Sequence, residues 1–166
     1  MDTDTFDKRI LYGKVAEQAF VSWLIQNNYF YFRTGQEFWM PKWVHEKLRF
    51  VFDDGIKMIC HFPDFAVYAK GNQFLAQVKA APNSKDYPTL TIEKNSFDCS
   101  MNLFKLKLPV MLIWQVEGGE LFAQWIDKVN PETPAIDRTK TNGSHTPQYN
   151  IRKHELIKLD EILSHA

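Results

Sequence analysis

The chain has 166 residues, 45% of them hydrophobic and 14% aromatic, which suits one folded α/β-sized domain with a real core and excludes a disordered chain. Basic and acidic side chains balance at 20 each, so nothing in the bulk charge marks a polyanion binder, although the balance leaves open where the positive groups cluster. The longest apolar run, Leu108 to Trp114, is far too short to span a bilayer, and the acidic start Met1-Asp-Thr-Asp-Thr lacks the apolar segment of a signal peptide. Cys60 and Cys99 form neither a CxxC pair nor a metal spacing, so both read as small hydrophobes in a reducing compartment, the cytoplasm.

Residues Phe6 to Asn27 contain no proline and read as a helix. Gly13, Glu17, Phe20 and Leu24 follow at intervals of four, three and four and share a stripe, where Gly13 would permit close approach to a sheet. Glu17 is the odd member. It either lies at the stripe's edge and pairs with Lys14, or is an acid turned toward a site. Alternating aromatics from Tyr29 to Arg33 suggest a strand, and Thr34-Gly35 a break. An aromatic-dense segment follows, in which Phe38, Trp39 and Trp43 interleave with Lys42, His45, Lys47 and Arg49. Such residues stack on unpaired bases or, more commonly, fill a subsidiary core. Asp53-Asp54-Gly55 reads as the turn of a hairpin joining Lys47–Phe52 to Ile56–Cys60.

The most informative stretch runs from His61 to Ala80. Two apolar-rich runs, Phe65 to Ala69 and Phe74 to Ala80, flank Gly71-Asn72, which suits a tight hairpin turn. With those two residues as the loop, Tyr68 pairs with Leu75, Ala66 with Gln77 and Asp64 with Lys79. Phe65, Val67, Ala69, Phe74, Ala76 and Val78 then share one apolar face, while Asp64, Gln77 and Lys79 gather on the other, far from the turn. A carboxylate, an amide and an amine thus converge. Taken alone, an Asp–Lys cross-strand pair is also common surface decoration. His61, close by, is a proton relay or, more simply, a satisfied strand histidine.

Beyond a polar loop through Pro88, residues from about Ile92 to Lys107 read as a second helix with Phe97, Met101, Phe104 and Leu108 on its apolar stripe. Lys94, Asp98, Asn102 and Lys105 form a polar stripe, solvated or turned to a phosphate backbone, so Lys94, Asn102 and Lys105 are candidate nucleic-acid contacts. Pro109 to Val116 reads as a buried strand, Glu117-Gly-Gly-Glu120 as a turn and Leu121 to Ile126 as its returning partner. Residues 127–150 hold three prolines and many Ser, Thr and Asn, which indicates an irregular excursion. A closing helix is expected over Lys153 to Ser164.

Pro63-Asp64 followed by Gln77-Val78-Lys79 resembles the signature of the PD-(D/E)XK nucleases, with Gln where Asp or Glu is usual, as in the Mrr-like restriction enzymes. The resemblance implies a restriction-endonuclease-like α-β-β-β-α-β core over residues 8–126, a mixed central sheet flanked by helices, and Mg²⁺- or Mn²⁺-dependent cleavage of DNA. It further implies that Asp64, Gln77 and the Val78 carbonyl bind the metal, that Lys79 orients the nucleophile and stabilises charge, and that Glu17 on the first helix faces the pocket and binds a metal-bound water or a second ion. Glu93 is either the acid that compensates for Gln77 or an ordinary first-turn acid favoured by the helix dipole. Cutting both strands calls for two sites, hence a homodimer. The alternative is a nucleic-acid-binding or assembly protein that kept the fold and lost the chemistry.

Overall fold

The computed structural model describes residues 3–35, 44, 61–136 and 147–164, with side chains over 10–35, 44, 61–131 and 147–164. The hairpin expected over Lys47–Cys60, the aromatic segment before it and residues 137–146 lie outside the described residues. Helix α1 (Thr3–Gln26) leads into β1 (Phe30–Arg33), β2 (Phe65–Ala69) and β3 (Asn72–Ala81). Strand β4 (Thr89–Glu93) runs directly into α2 (Lys94–Lys105), followed by β5 (Val110–Val116) and β6 (Leu121–Trp125). The chain closes with β7 (Glu132–Ile136), β8 (Gln148–Arg152), β9 (Ile157–Lys158) and α3 (Leu159–Ser164).

Among the described residues, one six-stranded sheet has the order β1-β2-β3-β5-β6-β9, with β3 and β5 parallel and every other pair antiparallel. The parallel pair requires a crossover, and α2 supplies it. The expected α-β-β-β-α-β order is therefore present, with β4 inserted before the second helix.

Side-chain alternation gives the central sheet a core on each face. On one, Ala16, Phe20 and Leu24 of α1, with Leu159, Ile162 and Leu163 of α3, pack on Phe65, Val67, Phe74, Ala76, Met111 and Ile113. Phe20 is fully buried, edge-on to Phe65 at 5.4 Å and stacked on Trp23 at 6.0 Å. Trp23 donates its indole N–H to Asp160 at 2.5 Å, tying α1 to α3. On the opposite face Val110, Leu112 and Trp114 meet Phe97, Cys99 and Leu103 of α2 and Leu90 and Ile92 of β4. The buried Trp114 donates to the Thr91 carbonyl at 3.3 Å.

Several expectations need correction. The hairpin turn is Lys70-Gly71 with φ of +49° and +81°, and Ala69 pairs with Asn72. Two positive φ values in a two-residue loop make the mirror-image turn whose twist matches a right-handed hairpin. Register therefore slips by two residues from the expected one, which preserves every side chain's face but brings Gln77, not Lys79, level with Asp64. Among the described residues Gly13 has nothing within 4 Å of where a Cβ would stand, so it serves no close approach to the sheet.

Ile92 belongs to a strand, not to the second helix. Thr89-Leu-Thr-Ile-Glu93 alternates buried Leu90 and Ile92 with half-buried neighbours and joins β7 and β8 in a separate three-stranded sheet, so the expected excursion carries two strands. Phe104 and Leu108, expected on the helix's apolar stripe, are exposed. The closing helix is shorter than expected, because a 3₁₀ turn at Lys153–Glu155 and β9 occupy its first half.

Phe20→Ala should lower the free energy of unfolding in urea by about 3–5 kcal/mol, since it empties a site lined by Phe65 and Trp23. Burial pushes the Cys99 thiol up to about 11. Its peptide should therefore stay unlabelled by a thiol reagent at pH 8 in the folded protein and label promptly in denaturant, because the thiolate is the reactive form.

Candidate active site

Asp64 stands just before β2, and its position is fixed from both sides. Its carbonyl accepts the backbone N–H of Thr34 at 2.9 Å and of Gly35 at 3.2 Å, while Thr34 Oγ1 donates to the Pro63 carbonyl at 2.6 Å. The break after β1 thus clamps the Pro63-Asp64 backbone. On the other side, Asp64 Oδ2 accepts the Val78 backbone N–H and the Gln77 Nε2–H, each at 2.7 Å. A charged acceptor makes both bonds stronger than neutral ones.

These contacts form where β2 stops. The β2–β3 pairing ends at Phe65 opposite Ala76, and β3 continues to Ala81 against β5 alone among the described residues. The Val78 amide faces the vacated edge, and in an extended strand the carbonyl of a residue points to the same edge as its amide. Gln77 is only 4% exposed, and its Oε1 is buried without a hydrogen-bond partner among the described residues. A buried amide oxygen left unpaired costs about 1–3 kcal/mol, and such an orphan beside a carboxylate calls for a ligand.

Lys79 lies two residues further on the same face of β3 as Gln77, half-buried, with no ion-pair partner among the described residues. Glu17 approaches from the α1 face. Its Oε2 is 2.5 Å from Arg33 Nη1, and the Arg33 guanidinium sits 5.1 Å from the centre of the Phe65 ring. Arg33 pairs with Phe65 in the sheet, so the Glu17–Arg33 pair stands at the end of the sheet where Asp64 lies. The structure joins Asp64, Gln77 and Val78 by direct bonds; none ties Glu17, Lys79 or Glu93 to Asp64.

Glu93 ends β4 opposite Gln148 and caps α2 without a side-chain cap bond. His61 Nδ1 is 3.5 Å from Ser96 Oγ, which brings the segment before Asp64 against the first turn of α2. Lys94 is paired with Asp98 and lies 5.8 Å from the Tyr149 ring, and the Asp98 hydrogen bond holds its ammonium above the ordinary lysine range. Its charge is already matched, whereas Asn102 and Lys105 are exposed. Sequence reasoning missed Arg33 as the partner of Glu17. The signal available was a lone cation closing an aromatic strand one residue before the Thr34-Gly35 break.

Among the described residues no group of three His, Cys, Asp or Glu side chains gathers closely enough to hold a metal ion. The donors that do gather are all oxygens: the Asp64 carboxylate, the orphaned Gln77 amide oxygen and the Val78 carbonyl on the open edge. That set fits a hard cation such as Mg²⁺, which takes one or two carboxylates and keeps several waters.

No known family model and no curated protein sequence matches the chain. Among solved structures it is similar to Hjc from the hyperthermophile Archaeoglobus fulgidus, a Holliday junction resolvase, with a TM-score of 0.56 and 8% identity over 92% of this chain and 95% of that one. A second similar structure is D212, a nuclease from a fusselovirus, at a TM-score of 0.40 and 11% identity over 98% of this chain and 88% of that one. The likeness to the resolvase establishes the fold: a mixed central sheet with flanking helices, the restriction-endonuclease-like architecture that Pro63-Asp64 and Gln77-Val78-Lys79 imply.

Proposed function

We propose that this protein is a metal-dependent DNA endonuclease whose site is built on Asp64, Gln77, Val78 and Lys79. The observation that carries the reading is the buried Gln77 Oε1, without a partner among the described residues, beside a carboxylate that is itself fixed by two hydrogen bonds. Asp64, the Gln77 amide oxygen and the Val78 carbonyl would hold Mg²⁺ or Mn²⁺, which when bound lowers the pKa of water and offsets charge on a phosphoryl oxygen. The remaining chemistry falls to the chain.

Lys79, on the same face as Gln77 and free of a carboxylate partner among the described residues, supplies a cation for the charge that builds on the phosphate oxygens. Glu17 is aimed by its ion pair with Arg33, in position to accept hydrogen bonds from water at the same end of the sheet. Asp64 needs no rearrangement of its backbone, because Thr34 and Gly35 hold it. Glu93 at the start of α2 is the reserve carboxylate if Gln77 alone attracts the dication too weakly. DNA is the substrate, two copies cut the two strands, and the buried Cys99 suits the reducing cytoplasm.

One observation favours a second reading. The Gln77 amide donates to Asp64, so the site is closed on itself without a metal, as expected of a protein that binds DNA and no longer cuts it.

With Mg²⁺ or Mn²⁺, the wild-type protein should nick supercoiled plasmid, and Asp64→Asn should abolish nicking while the circular dichroism spectrum is retained. Lys79→Ala should slow nicking by roughly 10²- to 10³-fold. Binding of DNA without nicking of supercoiled, linear, branched or single-stranded substrates by the wild type would establish the second reading. Gln77→Glu removes the donor to Asp64 and sets two carboxylates together, so its melting temperature should fall below wild type in chelator and rise more than wild type when Mg²⁺ is added. Equal shifts in both proteins would take Gln77 out of the metal site.

A further inference from the structure

The face of the sheet that carries Gln77 and Lys79 does not end at the site. Toward the hairpin turn the same face continues through Leu75 and Gln73 on β3, Ala66 and Tyr68 on β2, and Phe30 and Phe32 on β1. Three aromatics there are turned to solvent: Phe30 is 75% exposed, Phe32 68% and Tyr68 46%. Among the described residues β1 is an edge strand, and one that displays two phenylalanines to water is unusual, because edges are normally blunted with charge.

Register arranges these rings as a platform. Phe30 pairs directly with Tyr68, which places their Cβ atoms about 5 Å apart, and Phe32 follows about 7 Å along the same face above the small Ala66. A groove of about 320 Å³ runs between them and the end of α2, within the range of ligand-binding clefts. Its remaining wall comes from Leu108 and Lys107. Lys107 has φ of +67°, its N–H bonds the Phe104 carbonyl at 2.9 Å and the Leu108 N–H bonds the Leu103 carbonyl at 3.1 Å, a helix-ending motif that swings both side chains over the groove. Among the described residues Lys107 is the one charged residue lining it, and no acid does.

We propose that this groove is a stacking platform for unpaired bases, so that the preferred substrate is DNA with unpaired nucleotides beside a duplex. The inference rests on the nuclease reading and deepens it. Flat aromatic faces accept any base, the Lys107 cation suits a phosphate, and the lining by described residues places no acid there to repel a polyanion. Continuity with the site sets the geometry. Leu75 lies about 7 Å from Gln77 along β3, about the span of one extended nucleotide step, so a strand crossing Asp64 has its neighbouring base delivered to the groove. A second copy of the chain is the competing occupant.

The test uses the full chain in chelator, with 2-aminopurine placed in a three-nucleotide bulge or in the same sequence fully paired. Wild type should quench the bulged probe and bind it roughly tenfold or more tighter than the paired one. Phe30→Leu/Phe32→Leu keeps the apolar area but removes the flat faces, and should lose the quench and bring the affinity ratio toward one, whereas Phe30→Trp/Phe32→Trp should retain both. Retention of quench and preference in the leucine variant overturns the proposal. So does an unchanged base preference when Phe30→Ser/Phe32→Ser turns a dimer into a monomer in sedimentation, which assigns the groove to a second copy. Since nothing is cleaved, the two readings fail separately: wild-type nicking that needs Asp64 without any quench removes the platform alone, and quench without nicking removes the nuclease alone.

Discussion

The structure around the site depends on one carboxylate and what holds it. Asp64 sits outside regular structure, yet both its backbone and its side chain are fixed, by Thr34 and Gly35 on one flank and by Gln77 and Val78 on the other. The arrangement works because β2 is five residues long and β3 is ten. Where the shorter strand stops, the longer one has backbone groups on that edge without a described partner strand, and a side-chain oxygen takes the place of a ladder carbonyl. Strand length, not a loop, builds the site. The same mismatch explains how a polar cluster survives at the end of a sheet whose faces are otherwise packed with Phe, Val and Ile.

Charge at this end of the molecule is distributed sparingly. Gln77 contributes an oxygen without a charge, and Glu17 shares its charge with Arg33. Asp64 is thus the carboxylate that defines the cluster, and Lys79 the cation with no ion-pair partner among the described residues. A centre with so few negative ligands would bind a dication weakly and lean on substrate phosphates to complete the coordination, a common arrangement for Mg²⁺. Metal and DNA would then bind with mutual support, each lowering the cost of the other. The neutral balance of the whole chain fits such a site, in which local placement of a few cations matters more than bulk charge.

Much of this was legible in the residues, and the misses have physical causes. The two faces of the β2–β3 hairpin follow from alternation alone, and they survive the register error because a slip of two preserves parity. What alternation could not supply was the loop. Gly71-Asn72 and Lys70-Gly71 both contain the glycine, and because Asn adopts a positive φ more readily than Lys, local preference points away from the Lys70-Gly71 turn that forms. As a result Gln77, not Lys79, faces Asp64. Strand β4 was hidden because five residues with two buried side chains run straight into a helix, where Ile92 fits either period. Arg33 was passed over because pairing across a helix and a strand leaves no spacing pattern in the chain. The aromatic face of Phe30 and Phe32 looked like ordinary strand composition, since alternation does not tell which face stays uncovered.

The most direct test of the account is a crystal structure of the protein soaked in Mn²⁺, with the ion located by its anomalous signal. The account predicts a peak within about 2.5 Å of an Asp64 carboxylate oxygen and of Gln77 Oε1, with the Gln77 amide turned from its bond to Asp64. A strong peak elsewhere, or none while Gln77 Nε2 still donates to Asp64, would contradict it.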